Sequence, residues 1–156
     1  YATVARMLNN GPETEDIAQQ VFIRIWKGSG NYEPSARFTT WMFTILRNLV
    51  FNEVRRQKRK PTTSADAMEE EGGMAVFLEP SQAPDEALEH TELQHAVDAA
   101  IAALPEKARL AVQLRRFENM PYEEIARALD MTVPATKSLL FRARNMLKEA
   151  LASFLS

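Results

Sequence analysis

The sequence predicts an all-α protein, built from two small helical domains that a flexible acidic linker joins. Apolar residues recur at helical spacing along most of the chain, and no stretch has the alternating pattern of a β-strand. Between the helical parts lies a segment rich in glutamate, proline and glycine, which is a composition typical of linkers. We therefore divide the 156 residues into an N-terminal domain (1–60), a linker (61–85) and a C-terminal domain (86–156).

The overall composition narrows the classes of protein to consider. With 46% hydrophobic and 26% charged residues, the chain has enough apolar side chains for a globular core. No apolar run approaches the roughly 20 residues that span a bilayer, and no signal peptide is recognisable, so we expect a soluble cytoplasmic protein without membrane insertion. The chain has no cysteine and only two histidines, His90 and His95. We therefore expect no disulfide, no metal site and no cofactor.

Charge is unevenly distributed, although the formal net charge is only −2. Two basic blocks flank the acidic middle of the chain. Their members are Arg47, Arg55, Arg56, Lys58, Arg59 and Lys60 in the first block and Lys137, Arg142, Arg144 and Lys148 in the second. This pattern suits two nucleic-acid contacts on one chain, and it equally suits two solvated helix ends around an acidic linker.

A first full helix is predicted over residues 15–27, with Thr14 as its N-terminal cap. Its apolar residues form a wide face on one side of the helix. They are Ile17, Ala18, Val21, Phe22, Ile25 and Trp26. The polar side carries Asp16, Gln19 and Gln20, and it is either a solvated face or a docking surface for another protein.

A second helix, predicted over residues 38–57, combines aromatic side chains with a basic tail at 55–60. Stacking rings beside a positive track are typical of single-stranded nucleic-acid binding. Asn48 carries both a donor and an acceptor, so it is suited to reading an unpaired base edge. The alternative is that Trp41 and Phe43 belong to the core.

The C-terminal domain contains a candidate helix-turn-helix. Helices are predicted over residues 85–104, 106–118, 121–129 and 134–151. Asp130 lies in the turn between the last two, where its tolerance of left-handed geometry is useful. Pro134 is expected to begin the second helix of the pair.

The outward side of that last helix is polar and basic. The residues expected there are Thr136, Lys137, Ser138, Phe141, Arg142 and Arg144. Such a set suits a helix in the DNA major groove, where cations and hydroxyls contact base edges and an apolar group contacts thymine methyl. The alternative is a pair of packed helices with a solvated basic face.

Five motifs together resemble the extracytoplasmic-function branch of the sigma factor family. They are EDIAQQVFIRIW at 15–26, FTTWMFTILRN at 38–48 with two arginines at 55–56, LPEKARL at 104–110, PYEEIA at 121–126 and TKSLLFRAR at 136–144. The first two resemble conserved region 2 of that family, and the other three resemble region 4. The resemblance covers nearly the whole chain apart from the linker.

The resemblance implies a role for each motif. Region 2 would bind core RNA polymerase and would melt and read the promoter minus-10 element, and region 4 would read the minus-35 element. The residues implied are Asp16, Gln19 and Gln20 for polymerase, Trp41, Asn48, Arg55 and Arg56 for the minus-10 element, and Lys137, Ser138, Phe141, Arg142 and Arg144 for the minus-35 element. The implied protein is a non-enzymatic transcription factor of stress responses, with promoter DNA, core polymerase and an inhibitory anti-sigma factor as partners.

Some features depart from the family pattern. Gln20 stands where glutamate is usual, Lys137 where arginine is common, Leu139 where a basic residue is common, and Pro134 where glycine is usual. Region 2 usually has a longer first helix, so the N-terminus is expected to be truncated. The rival interpretations are a helix-turn-helix regulator that acts without polymerase, and an all-helical interaction protein with no DNA role.

Overall fold

The computed structural model describes residues 1–34, 37–60 and 84–155, with the backbone alone for 84–86. Its helices are α1 (Ala2–Met7), α2 (Thr14–Gly28), α3 (Phe38–Arg59), α4 (Pro84–Ala102), α5 (Glu106–Phe117), α6 (Tyr122–Leu129), α7 (Val133–Ala150) and α8 (Ala152–Leu155). The all-α prediction is confirmed, since these ranges contain no strand. The predicted linker (61–85) lies outside the described residues except at its end, where Pro84 and Asp85 already belong to α4. None of the described helices is long and apolar enough to cross a bilayer.

Helix α2 buries a narrower face than its sequence predicted. Ile17 and Val21 are buried in the core, but Phe22 and Trp26 are 68% and 76% exposed. Residues at i, i+4 and i+8 already form the stripe that faces α3, so side chains beyond that stripe project away from the core. The wide apolar face predicted for this helix is therefore only partly buried.

The start of α2 also differs from the prediction. Thr14 is the first helical residue, and Glu13 occupies the N-cap position without a side-chain hydrogen bond. The Thr14 hydroxyl is buried and has no hydrogen-bond partner in the described part of the chain. The predicted Thr14 cap is therefore wrong. Thr14 is itself the first helical residue, so its side chain is not at the N-cap position and does not accept a bond from the first turn of the helix.

Helices α6 and α7 form the predicted helix-turn-helix. Asp130 adopts the left-handed conformation with φ 53°, and its N–H donates to carbonyls at the end of α6. Helix α7 begins at Val133 instead of Pro134, because the Thr132 side chain caps it by accepting a bond from the Ala135 N–H. Thr136, expected on the outside, is fully buried, and its hydroxyl donates to the Thr132 carbonyl at 2.9 Å.

The two domains lie in direct contact, which the sequence did not predict. Helix α3 packs on α6, and α1 packs on α5. Arg109 on α5 donates from Nη1 to the Met7 carbonyl of α1 at 2.9 Å, and the Arg6 guanidinium lies 3.7 Å from the Phe117 ring centroid. Burial lowers the pKa of Arg109. A single cluster of buried apolar side chains runs through both domains.

Candidate protein and nucleic-acid interfaces

The exposed side of α2 is half polar and half apolar. Asp16, Gln19 and Gln20 are all exposed, as the sequence predicted. Ile23 and Trp26 are 48% and 76% exposed. They lie on the same side of the helix, because Ile23 follows Gln20, Gln19 and Asp16 by three, four and seven residues and Trp26 follows Gln19 by seven. We call these five residues the α2 face.

Sequence reasoning missed the apolar half of the α2 face. It placed Trp26 on the wide apolar face of the helix and assigned no role to Ile23. A usable signal was present, because Ile17, Val21 and Ile25 already supply a complete stripe at i, i+4 and i+8. Further large apolar residues outside such a stripe indicate a contact surface, since solvent-exposed apolar patches are typical of interaction sites.

Helix α3 aligns three of its four predicted site residues. Trp41, Asn48 and Arg55 are seven residues apart, which is just under two helical turns, so they follow one side of the helix. We call them the α3 stripe. Asn48 and Arg55 are exposed, and Trp41 is half-buried, so Trp41 belongs neither wholly to the core nor wholly to the surface. Phe43, in contrast, is a core residue.

Aromatic neighbours hold Trp41 at the N-terminal end of the α3 stripe. Its ring centroid is 5.3 Å from that of Tyr32 and 5.7 Å from that of Phe38. Gly28 lies against the indole, and a Cβ added there would be 3.1 Å from Trp41 Cζ2. The three rings form a cluster at the surface, with Phe38 48% exposed. Offset and tilted ring contacts at these distances are favourable.

Asn48 is engaged by the side chain that precedes it. Arg47 donates from Nε and Nη2 to Asn48 Oδ1 at 3.2 and 3.0 Å, and from Nη1 to the Ala128 carbonyl at 2.9 Å. The guanidinium fork therefore joins a residue of the α3 stripe to the end of α6. Arg55, the last member of the stripe, lies 3.6 Å from a carboxylate oxygen of Glu106.

Arg56 lies apart from the other predicted residues of α3. Its Nε and Nη2 donate to the two carboxylate oxygens of Glu53, each at 2.9 Å, and Nη2 also reaches Glu13 at 3.1 Å. The hydrogen bond from Arg56 lowers the pKa of the buried Glu53 carboxyl. Arg56 thus ties α3 to the start of α2, and any contact with nucleic acid would compete with these two carboxylates.

Helix α7 presents the predicted basic side. Lys137, Ser138, Phe141 and Arg142 are exposed and lie on one side of the helix, with Phe141 64% exposed. We call these four residues the α7 face. An exposed apolar ring among cations and a hydroxyl is the mixture that base edges in a major groove require.

Arg144 is also exposed, but it contacts the preceding helix. It donates from Nη2 to the Tyr122 hydroxyl at 3.4 Å, and this bond lowers the pKa of Tyr122. The Lys137 ammonium lies 5.9 Å from the Tyr122 ring centroid. Tyr122, which sequence reasoning did not select, therefore lies between two predicted DNA-binding side chains at the start of α6.

Comparison with known proteins assigns a class to both domains. The family model described as Sigma-70 region 2 matches residues 1–60, and the model described as Sigma-70, region 4 matches residues 94–147. The chain is thus a two-domain sigma factor, with region 2 in α1–α3 and region 4 from the second half of α4 to α7.

Curated relatives place the chain within that class. The RNA polymerase sigma-H factor of Pseudomonas aeruginosa is 33% identical over 97% of this chain and 80% of its own length. The ECF RNA polymerase sigma-E factor of Escherichia coli is 33% identical over 90% of this chain and 74% of its own length. SigW, an ECF RNA polymerase sigma factor of Bacillus subtilis, is 29% identical over 97% and 82%. The chain belongs to the extracytoplasmic-function family of RNA polymerase sigma factors.

Solved structures support the same fold. The sigma factor RpoE from Bartonella quintana, crystallised with the anti-sigma factor NepR, has a TM-score of 0.66 and 24% identity, covering 97% of this chain and 90% of that one. CnrH, in complex with the cytosolic domain of CnrY, has a TM-score of 0.65 and 21% identity, covering 97% and 80%. At this identity the likeness concerns the fold alone.

Proposed function

We propose that this sigma factor docks core RNA polymerase through α2, reads melted minus-10 DNA through α3 and reads the minus-35 duplex through α7. The observation that carries the proposal is the α3 stripe, in which a surface aromatic cluster, an amide and a cation follow one side of a helix. The protein itself catalyses nothing in this proposal. It supplies binding energy that favours melted promoter DNA over duplex, and the polymerase supplies the chemistry.

Polymerase docking is assigned to the α2 face. Its apolar half, Ile23 and Trp26, supplies area to bury, and its polar half supplies the rim that protein interfaces usually have. Asp16→Arg should weaken binding to core polymerase strongly, because a positive charge at residue 16 would repel a polymerase surface that is complementary to the aspartate. Glu118→Arg, an equal charge reversal on an exposed residue of the other domain, is the control. Unchanged polymerase affinity in a fluorescence titration of Asp16→Arg would remove this assignment.

Minus-10 recognition is assigned to the α3 stripe. A base that leaves the stack needs an aromatic surface and a hydrogen-bonding partner, and Trp41 and Asn48 offer these two groups one after the other. The segment over residues 28–37, of which 35 and 36 lie outside the described residues, helps to enclose the base in this proposal. Arg55 and Arg56 follow as contacts to the DNA backbone in this proposal, although Arg56 must first break its ion pairs with Glu53 and Glu13.

Asn48→Ala tests the minus-10 assignment. It should change the base preference within the minus-10 element more than it changes the affinity for core polymerase. Promoter selection from a randomised minus-10 library, with wild-type and variant protein side by side, measures that preference. Identical selected sequences would exclude Asn48 as a base-reading residue.

Minus-35 recognition is assigned to the α7 face, with Arg144 as an additional contact. Lys137 and Ser138 lie near the N-terminal end of α7, where recognition helices approach base edges. Arg144 already lies beside Tyr122, so its position along the groove is restricted before DNA binds. This restriction favours a phosphate contact, which tolerates a fixed cation, over base reading.

An anti-sigma factor is the remaining partner that we propose. Both solved relatives contain a second protein, which one structure names an anti-sigma factor. For this chain we expect an inhibitor that contacts both domains and competes with core polymerase. Because the polymerase acts there, we place the sigma factor in the cytoplasm. Competition between a candidate inhibitor and labelled polymerase is the direct measurement.

Run-off transcription with purified core polymerase on a promoter library tests the function as a whole. Transcripts from a defined promoter class are the expected result. Salt-dependent duplex binding without any polymerase-dependent transcript would favour a regulator that acts alone. Absence of DNA binding even with polymerase present would favour an interaction protein.

A further inference from the structure

A cleft between α3 and the C-terminal domain gathers three cationic side chains. Arg47 and Arg55 come from α3, and Lys107 comes from the first turn of α5. Among the described residues that line the cleft, Asp130 supplies the single carboxylate. Three positive charges and one negative charge leave this lining with a net charge of +2. We propose that the cleft is a binding site for a compact oxyanion that is free in solution, namely phosphate or diphosphate.

Hydrogen-bond donors outnumber acceptors on the polar side of the cleft. Asn48 and Asn52 also line it. Asn48 Oδ1 already accepts two bonds from Arg47, at 3.2 and 3.0 Å, so its amide nitrogen is the group left for a ligand. Asn52 is exposed and has no hydrogen bond within the described residues. A ligand that carries several negatively charged acceptor oxygens matches such a set of donors, because bonds to ionised acceptors are the stronger ones.

Arg47 is held in place before any ligand binds. Its Nη1 donates to the Ala128 carbonyl at 2.9 Å, while Nε and Nη2 donate to Asn48. A guanidinium has five N–H donors, so two remain after these three bonds. A side chain that is already fixed loses little conformational freedom on binding, which favours affinity for a small ligand.

The other two cations are available to an incoming anion. Lys107 is exposed and has no ion-pair or hydrogen-bond partner within the described residues. Arg55 Nε lies 3.6 Å from Glu106 Oε1, which is an ion pair but too long for a hydrogen bond. Both side chains can therefore meet an oxyanion without giving up a hydrogen bond to another described residue.

The rest of the lining is apolar, and the cleft is small. Phe51 and Leu129 line it and are 5% and 1% exposed. Apolar walls beside charges of one sign focus the electric field, which strengthens the attraction of an opposite charge. The volume is about 210 Å³. Sites for drug-sized ligands measure about 300–1,000 Å³, so this cleft suits phosphate or diphosphate better than a whole nucleotide.

Two of the lining residues, Asn48 and Arg55, also belong to the α3 stripe. The DNA backbone carries the same oxyanion chemistry as free phosphate, so we expect the two ligands to compete for these residues. That competition rests on the proposed function of the stripe, whereas the site for a free oxyanion does not. Lys107 and Asp130 distinguish the two sources, because they belong to the C-terminal domain and have no assigned contact with the minus-10 strand.

Lys107→Ala and Asp130→Asn change the charge of the cleft in opposite directions. The first removes a cation and should weaken oxyanion binding, and the second removes a repelling carboxylate and should strengthen it. Residue 130 has a φ of 53°, a left-handed conformation that asparagine tolerates as aspartate does, so the fold should be kept. Lys27→Ala and Glu123→Gln are the matched controls, because they make the same charge changes at exposed positions that do not line the cleft.

Calorimetric titration of the full chain with sodium diphosphate, at constant ionic strength and without DNA or polymerase, measures the site directly. We expect saturable binding of one diphosphate per chain. Lys107→Ala should weaken it about tenfold, the worth of one hydrogen bond between charged groups. Asp130→Asn should strengthen it about two- to fivefold, as for one exposed charge pair. Absence of saturable binding in the wild type, or test variants that do not differ from their controls, would overturn the proposal.

A labelled single-stranded minus-10 oligonucleotide, from a promoter found by run-off transcription, separates free oxyanion from DNA backbone. Diphosphate should displace this strand from the wild type, and Lys107→Ala should require about ten times more diphosphate while its affinity for the strand is unchanged. If Lys107→Ala weakened the strand and the wild type bound no diphosphate, the cleft would be a contact for the DNA backbone and the proposal would be overturned. A strand that did not bind at all would count against the proposed function, and the calorimetric result would still decide the oxyanion site.

Discussion

Gly28 and Trp41 are in close contact, although one ends α2 and the other lies in the first turn of α3. A Cβ at residue 28 would be 3.1 Å from Trp41 Cζ2, which is closer than carbon atoms normally pack. The backbone of Gly28 adopts an ordinary negative φ of −87°, so the absence of a side chain matters here for space and not for conformation. The contact fixes the indole at the head of the α3 stripe.

Gly28→Ala should therefore displace the Trp41 ring. We expect a loss of about 0.5–1.5 kcal/mol from the strained rotamer, together with weaker opening of the minus-10 element. Gly30→Ala is the control, because a Cβ there meets nothing within 4 Å. Permanganate reactivity of promoter thymines measures opening, and chemical denaturation measures stability. Equal opening by the two variants would show that the placement of Trp41 does not matter for melting.

Trp26→Ala is predicted to weaken polymerase binding without loss of stability. Its side chain is 76% exposed, so truncation removes little core contact. Aromatic residues at the centre of an interface typically cost more than about 1 kcal/mol when truncated, which is a fivefold or larger loss of affinity. Leu155→Ala, which removes a 69% exposed apolar side chain from α8, is the control. A drop in melting temperature with unchanged polymerase affinity would assign Trp26 to structure instead.

Local features of the fold were predictable, because they depend on residues close in sequence. The helix-turn-helix was expected at 121–129 and 134–151 and is found at Tyr122–Leu129 and Val133–Ala150. The left-handed Asp130 was also expected from its residue type and position. Such features follow from periodicity, capping and turn chemistry, which act within about one or two helical turns.

The relation between the domains was not predictable in the same way. The bonds from Thr40 to Glu124 and from Arg47 to Ala128 join residues 84 and 81 positions apart. No periodic pattern specifies which polar groups will meet across such a distance. The exposed residues of the α7 face, in contrast, were predicted from helical spacing. Thr136 was wrongly expected beside them, because its hydroxyl bonds to its own helix.

Gln113 offers a test of the core. It is 1% exposed, and neither Nε2 nor Oε1 has a hydrogen-bond partner within the described residues. An unsatisfied buried polar group costs about 1–3 kcal/mol, so Gln113→Met, of similar volume, should raise the free energy of unfolding by about 1 kcal/mol. Gln19→Met makes the same change at an exposed position and should stay within about 0.5 kcal/mol of the wild type. Destabilisation by Gln113→Met in urea titrations would contradict this account.

Arg142 and Lys148 should differ in what they contact on minus-35 DNA. Both are exposed on α7, but Arg142 belongs to the α7 face and Lys148 lies in the last turn of the helix. Arginine can donate two parallel bonds to a guanine edge, whereas lysine near a helix end more readily meets phosphate. Arg142→Ala should therefore cost about 1–3 kcal/mol on the cognate duplex and relax its specificity, and Lys148→Ala should weaken all duplexes alike.

Salt dependence separates the two roles. Each phosphate contact that is lost should lower the slope of log affinity against log salt by about one unit, so Lys148→Ala should change the slope on matched and scrambled duplexes equally. Arg142→Ala should instead lower the affinity for the matched duplex and leave that for the scrambled one near the wild-type value. If Arg142→Ala weakened both duplexes equally and changed only the slope, its contact would be with phosphate, and base reading would fall to Lys137 and Ser138.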